Sequence, residues 1–447
     1  MVFDTIALQV PNILLPRQGV DLQHWAVIAC DQYTSDKDYW KKLKAFVADS
    51  PSTLNLIYPE VYLEETDSEV RIAAINSCMQ DYLDQGVLEE QPPGFLLLDR
   101  KTSEVPSRKG LIVALDLEGY DYNKGASSLI RATEGTILDR LPPRIRVRNA
   151  APIELPHIMV LIDDPEQTVI EPLFRCNLQP VYDFDLCCNG GRLRGWRVDG
   201  PLEIDAVAEA LRQLADPDKF ARRYDVHDRP VVLYAMGDGN HSFATAKAIW
   251  EELKQGAEDR IDIMNHPARY ALVELINIHD PGLEFEAIHR VVFDCDPQQL
   301  LADMAHYYKG KGSALTLLRS ADRTELAARQ LSETEAGRQS ILFVDNSGPG
   351  LLTIDQPEFH LAVATLQTFL DLYLEQNSKA RIDYIHGDEP VTGLGRQIGN
   401  IGFYLPAISK HDLFKTIILD GALPRKTFSM GEADEKRFYL ECRKIKA

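Results

Sequence analysis

Apolar positions along the chain switch between a spacing of two and a spacing of three to four, which predicts alternating strands and helices. Residues 36–48 (DKDYWKKLKAFVA) and 67–85 carry the helical spacing, while 94–98 and 109–114 are short apolar runs of the strand kind. A further apolar strand is expected at 156–163, helices at about 204–215 and 242–255, and strands at 268–278 and 287–293. From Asp296 onward the pattern reads helix, strand (314–318), helix, strand (341–344), strand (351–354) and helix (359–375). A last strand-like segment, 438–442, follows a stretch rich in Gly, Pro and basic residues. The alternation predicts a mixed α/β (α+β) fold. The expected division is a core at 1–295, an α/β subdomain at 296–380, and a C-terminal segment at 381–447 that carries a flap and returns to the core.

The most informative stretch is RPVVLYAMGDGNHSFATAKAIWEEL, residues 229–253. Val231 to Tyr234 reads as a strand, Gly237-Asp238-Gly239-Asn240-His241-Ser242 as a tight turn, and the segment with Phe243, Ala246 and Trp250 as a helix. A turn feeding a helix start makes an anion cradle, because the first N–H groups lack intrahelical partners and the helix dipole is positive there. No Gly-Lys-Ser/Thr and no full Gly-x-Gly-x-x-Gly is present. A plain connection with Asn240 as N-cap is the alternative.

The chain has 447 residues, 45% of them hydrophobic, and a formal net charge of −20. That composition supports a large core and argues against nucleic acid as a general partner. The start of the sequence has no signal-peptide pattern, and no apolar run approaches a membrane span, so a cytoplasmic protein without a membrane partner is expected. Seven scattered cysteines without Cys-x-x-Cys read as buried free thiols.

Against the acidic background, Arg131, Arg140, Arg144, Arg146 and Arg148 stand out. Arg144, Arg146 and Arg148 alternate, so a strand would put all three on one face, suited to phosphate or simply an exposed edge. Glu134 between them is a salt-bridge partner or a general base. Asp163-Asp164 closes an apolar strand, as Mg²⁺ ligands do or as a solvated turn does. Asp31 follows the apolar run Trp25 to Ala29 and is a candidate base, with Thr34 or Ser35 capping the next helix; His241 is a further catalytic candidate. His289-Arg290 has some phosphate-binding character. The tail Leu423 to Glu432, with Arg425, Lys426, Thr427 and Ser429 between Pro424 and Gly431, is expected to be a mobile flap that closes on an anionic substrate.

GDGNHSFATAK (237–247), LPRKTFSMGE (423–432), KRFYLE (436–441) and ACDQYTS (29–35) together resemble the bacterial domain of unknown function 1015 family over nearly the whole chain. The Asp-Gly-x-His turn is also similar to the phosphate-binding turn of the ParB and sulfiredoxin-like fold, which includes an archaeal kinase of free serine. There the turn reads Asp-Gly-His-His-Arg; Asp238, Gly239 and His241 match, and Asn240 and Ser242 depart. The resemblance implies a ParB/sulfiredoxin-like core and a phosphotransferase acting on a small hydroxyl compound, free L-serine foremost, with a nucleotide or pyrophosphate donor and Mg²⁺. The phosphate-binding set would be Gly237, Asp238, Gly239, Asn240, Ser242, Arg131, Arg144, Arg146, Arg148, His289, Arg290, Arg425, Lys426 and Ser429. Asp31, Glu134 or His241 would serve catalysis, and Asp238 with Asp163 would hold the metal. A nucleotide-binding switch and a phosphatase are the rival readings.

Overall fold

The computed structural model describes residues 1–446 apart from Ser35, Glu64, Lys124, 136–140, Asp259, Ala336 and His360. Arg140 and the capping position Ser35 therefore lie outside the described residues. The chain divides into two compact units, Met1–Glu284 with Met430–Ala447, and Phe285–Ser429. The second unit thus begins eleven residues before the expected boundary at 296 and takes in 381–429, leaving only the last eighteen residues to return to the first.

The first unit is mixed α/β. Its main strands are β1 (Val27–Ile28), β2 (Phe95–Lys101), β3 (Arg108–Asp116), β4 (Tyr120–Asp121), β5 (Ile130–Arg131), β6 (Ile153–Glu154), β7 (Met159–Ile162), β8 (Gln179–Asp185), β9 (Arg192–Val198), β10 (Tyr234–Asp238) and β11 (Tyr270–Asn277). Its main helices are α1 (Lys37–Val47), α2 (Ser68–Asp84), α3 (Leu141–Ala150), α4 (Pro201–Leu214) and α5 (Asn240–Gly256). The large sheet runs β8-β9-β2-β3-β11-β7-β10-β5-β4. Pairing is antiparallel from β8 to β11 and between β7 and β10, and parallel at β11/β7, β10/β5 and β5/β4.

Because successive strand residues face opposite ways, each central strand feeds two cores. Leu97, Leu111, Val113, Val160, Met236 and Val273 pack with Val207 and Leu211 of α4 and Phe243 and Trp250 of α5. Leu96, Leu98, Ile112 and Leu272 pack on the opposite face with Trp25, Trp40, Leu43, Ile75 and Met79. The Asp36 side chain, accepting from the N–H groups of Asp38 and Tyr39, caps α1 in place of the expected Thr34 or Ser35.

Two local expectations are corrected. The strand before the Gly-rich turn is Tyr234–Asp238, so Val231 to Leu233 lie outside it and Gly237 and Asp238 belong to it. A Cβ at Gly237 would fall 2.7 Å from Met430 Cε, so glycine suits this strand position because a neighbour occupies the side-chain space. Arg144, Arg146 and Arg148 lie on helix α3, not on a strand. Pro142 and Pro143 occupy its first turn, where a missing N–H costs no hydrogen bond.

The second unit holds an antiparallel sheet of β12 (Phe285–Phe293), β13 (Ala314–Arg319), β14 (Gln339–Asp345), β15 (Gly348–Asp355), β16 (Arg381–His386) and β17 (Ile401–Tyr404), ordered β13-β15-β14-β17-β12-β16. Helices α6 (Pro297–Gly310) and α7 (Ala362–Gln376) cover it through Leu300, Met304, Leu366, Phe369 and Leu370. Among the described residues, no helix is long and apolar enough to cross a membrane.

The chain returns to the first unit through β18 (Phe438–Tyr439), paired with β1, and β19 (Arg443–Lys444), paired with β6. Arg437, 3% exposed, is buried between Glu274, at 2.6 Å, and Glu441, and its Nε donates to the Pro156 carbonyl at 3.1 Å. Arg443 donates to Glu154 at 2.6 Å and to the Pro267 carbonyl at 3.0 Å. Removing one member of a buried pair strands the other charge. Arg437→Ala is therefore expected to lower unfolding stability by roughly 3–5 kcal/mol, checked by urea denaturation; a loss below about 1 kcal/mol, the value of an exposed pair, would contradict the tail's anchoring role.

Candidate functional site

Among the described residues, no side chain caps the start of helix α5. Its N-cap is Gly239, in the left-handed region at φ 82°, and Asn240 is already helical, which corrects Asn240 as the expected cap. A Cβ at Gly239 would meet the Ile158 backbone at 3.0 Å, so both conformation and space call for glycine. The Asp238 carboxylate accepts the Gly239 N–H at 2.8 Å and lies 3.6 Å from the Lys436 ammonium. Asn240 Nδ2 reaches Thr133 Oγ1 at 3.4 Å, and among the described residues its buried Oδ1 has no hydrogen-bond partner.

Strand β7 runs antiparallel to β10 with Met159 opposite Asp238, so the residues just before β7 stand beside the helix start. Here His157 is the hub. Its Nε2 is 3.2 Å from Ser242 Oγ and 3.4 Å from Asp31 Oδ2, and its Nδ1 is 2.8 Å from the Tyr439 hydroxyl. That hydroxyl donates to Cys30 Sγ at 3.1 Å. Pairing of Tyr439 with Val27 brings the tail alongside the strand that leads to Asp31.

Burial disfavours a charged imidazole at His157, and Arg144 adds repulsion. The charge and hydrogen bond of Asp31, with a smaller contribution from Asp238, outweigh both and raise its pKa. Burial likewise disfavours the Asp31 carboxylate, yet His157, Arg144 and Gln32 hold it well below the usual carboxylate range. Burial, then the charges of Asp31 and Glu60, push the Cys30 thiol up to about 12, so it is no thiolate nucleophile at neutral pH.

A cavity of about 140 Å³ opens beside this cluster, lined by Cys30, His157, Ser242 and Tyr439 at one part and by residues of α3 elsewhere. Arg144 and Arg148, one helical turn apart, both line it; Arg144 pairs with Glu60, and Arg148 with Glu154 at 2.6 Å. Arg146 projects away, half-exposed, 3.8 Å from Glu69.

The structure therefore gathers Asp31, Asp238, Gly239, Asn240, Ser242, Arg144 and Arg148 around the helix start and its cavity. Gly237 lies in β10, and His241 is half-buried in the first turn of α5. Glu134 is half-buried and adjoins Thr133 in sequence. Arg131 is spent on the carbonyls of Ser128 and Pro230, both at 3.1 Å, which makes it a strut. Asp163 is four residues along β7 from the Asp238 end, about 13 Å at the usual strand rise, and it pairs with His279 at 2.6 Å. One cation cannot take both Asp163 and Asp238, which corrects that expected pair. Among the described residues, no group of three or more His, Cys, Asp or Glu side chains is placed to hold a metal ion.

The remaining expected residues belong to the second unit. His289 accepts the Leu405 N–H at 3.1 Å and meets Asp388 at 3.1 Å. Arg290 is fully buried on Gln367 Oε1 at 2.8 Å and the Ile288 carbonyl at 2.6 Å. Arg425 donates to the Tyr384 hydroxyl at 2.7 Å, and Lys426 adopts φ 55°. The expected flap is packed chain: Thr427, Phe428 and Ser429 are buried, and Phe428 stacks on Phe285 at 4.4 Å. Among the cysteines, all free, Cys176 and Cys188 are exposed, against the expectation of burial.

His157, Tyr439 and Glu60 escaped the sequence reading. Parallel α/β sheets place ligands at the carboxyl end of a strand, which points to the end of 156–163; antiparallel pairing with β10 moves the site to its beginning. The signal available was His157 directly before an apolar run, and a tyrosine in the tail's strand.

A family model described as "Protein of unknown function (DUF1015)" matches residues 14–373. No curated protein matches the sequence. Among solved structures, the chain is similar to a free serine kinase in complex with AMP, at 11% identity and a TM-score of 0.37, over 75% of this chain and 91% of that one. It is also similar to a conserved hypothetical protein from Pyrococcus furiosus, at 11% identity and a TM-score of 0.35, over 75% and 95% of the two chains. A third is SbnI with C-terminal truncation from Staphylococcus aureus, at 9% identity and a TM-score of 0.35, over 72% and 82%.

The Asp31–His157 pair makes stability depend on pH with a definite sign. The folded pKa of His157 is raised, so its contribution is complete below the unfolded value of about 6.5 and is lost as pH rises through the folded value. The stability gap between the parent protein and His157→Gln should thus be largest near pH 6 and shrink towards pH 9, read from urea midpoints. A gap that widens with pH would contradict the ion pair.

Proposed function

The chain belongs to the DUF1015 family of proteins of unknown function, and we propose that it is a phosphotransferase acting on the hydroxyl of a small molecule with a serine-type head. The observation that carries this reading is the convergence of Asp31, His157 and Ser242 on the uncapped start of α5. Phosphoryl transfer needs positioning and charge neutralisation more than covalent help from the protein, and these groups offer both.

The donor, a nucleotide or pyrophosphate, places a phosphate against the N–H groups at the start of α5. His157, whose charged form Asp31 favours, adds positive charge as the P–O bond to the leaving phosphate breaks. The acceptor hydroxyl lies against Asp31, which orients it and takes its proton as the new O–P bond forms. A carboxylate held so far below its usual range is a weak base, which suits proton transfer late in the reaction. Arg144 and Glu60 face the acceptor's carboxylate and ammonium. Mg²⁺, when bound, neutralises phosphate charge; Asp238 fits as a protein ligand to a cation held mainly by the donor's own oxygens.

The test is a ³¹P NMR assay with Mg²⁺, ATP, ADP or pyrophosphate in turn, and hydroxyl compounds including L-serine. A phosphomonoester of the acceptor is expected, and Asp31→Asn should lower its rate by about 10²-fold or more, with weaker donor binding as His157 loses the carboxylate that favours its charged form. Donor breakdown without acceptor product would assign a hydrolase, and donor binding without change would assign a switch; either result overturns the proposal.

A further inference from the structure

The cavity beside His157 offers more than a small polar head requires. Beyond Arg144 and Glu60 its wall is apolar, formed by Leu56, Ile57, Met79, Val147, Ile153 and Leu155. Leu56 and Ile153 are each 1% exposed and Met79 3%, so these side chains are fixed by packing on their other sides. The polar groups along the same wall are already engaged. The Tyr58 hydroxyl donates to the Tyr62 carbonyl at 3.2 Å. Glu154 accepts from Arg148, Arg443 and the Leu272 N–H, at 2.6, 2.6 and 2.9 Å.

Size sharpens the point. A cavity of about 140 Å³ compares with the roughly 150 Å³ engineered cavity, lined by Leu, Ile and Phe, that binds benzene. Free serine has no apolar body. With its hydroxyl at Asp31 and its charged groups at Arg144 and Glu60, the aliphatic wall would stay uncovered.

We infer that the ligand of this cavity is an amphipathic alcohol, with a charged amino-acid-like or hydroxy-acid head at Arg144 and Glu60, where the cavity opens, and an apolar body of up to about six carbons against the aliphatic wall. The inference rests on the phosphotransferase reading for the fate of the hydroxyl, which gains an O–P bond, gives its proton to Asp31 and releases the donor's remaining phosphate. It does not rest on that reading for the shape of the ligand. The aliphatic wall is the specificity determinant, and free serine is a poor fit to it.

Titration calorimetry of the full chain without donor compares L-serine with 3-phenyl-L-serine, which keeps the same head and adds six carbons. Phenylserine should bind at least tenfold more tightly. Ala151→Met, which pushes a longer side chain into the cavity from a position 2% exposed, should reduce that ratio to twofold or less. Equal affinities, tighter binding of serine, or no binding of phenylserine overturns the inference, and the parent protein decides it even where the variant does not fold. ³¹P spectra of the same mixtures with Mg²⁺ and ATP or pyrophosphate separate the two claims. Phenylserine that binds tightly but is never phosphorylated upholds the cavity assignment and counts against phosphotransfer.

Discussion

Arg437 is the residue on which the arrangement depends. A guanidinium 3% exposed is tolerable only with its charge and donors answered, and this one meets Glu274, Glu441 and the Pro156 carbonyl. Each partner belongs to a different part of the first unit. Glu274 is in β11, next to β7; Glu441 is in the tail; and Pro156 directly precedes His157. A single side chain therefore fixes the tail, the sheet and the histidine of the site in one geometry. Arg100 repeats the pattern from β2, donating to the Glu435 carbonyl at 3.0 Å and the Asp434 carbonyl at 2.6 Å. The last eighteen residues are thus structural before they are anything else, and Tyr439 reaches His157 because they are held.

This organisation also explains how an acidic chain builds a cationic interior. The net charge of −20 is a property of the whole sequence, while the arginines beside the cavity are paired and half-buried. Arg144 and Arg148 are balanced by Glu60 and Glu154, so neither is a bare anion trap. On the proposed reading, the positive character offered to a phosphate comes from the start of α5 and from His157, whose charged form Asp31 favours. On the same reading, such a site would hold a phosphate by direction and desolvation more than by net charge, as a preorganised transfer site requires.

Much of this was legible in the sequence, for stated physical reasons. The period of apolar residues located α1, α2, α4 and α5 and most central strands, and the Gly-Asp-Gly-Asn-His-Ser run marked the helix start that the structure leaves uncapped. Asp31 was visible because capping did not account for it. What was not legible depended on pairing. The alternation Arg144, Arg146, Arg148 reads equally as one strand face or as two helix faces, and only the prolines before it favour the helix. Asp163 looked equivalent to Asp238 because strand direction is invisible in sequence, and antiparallel pairing puts the two carboxylates at opposite ends. Tyr439 is about 280 residues from His157 in the chain, a distance that no local pattern bridges. Arg425, Lys426 and Ser429 had the composition of a flap, but Phe428 between them is buried on Phe285.

The central claim is that His157 is held charged by Asp31 at a place where phosphate binds. It is tested most directly by long-range ¹H–¹⁵N NMR of the His157 ring across pH, with and without inorganic pyrophosphate. The account predicts a midpoint above that of free histidine in the protein alone, and a further upward shift on adding pyrophosphate. A midpoint at or below the free value, unmoved by pyrophosphate, would contradict it.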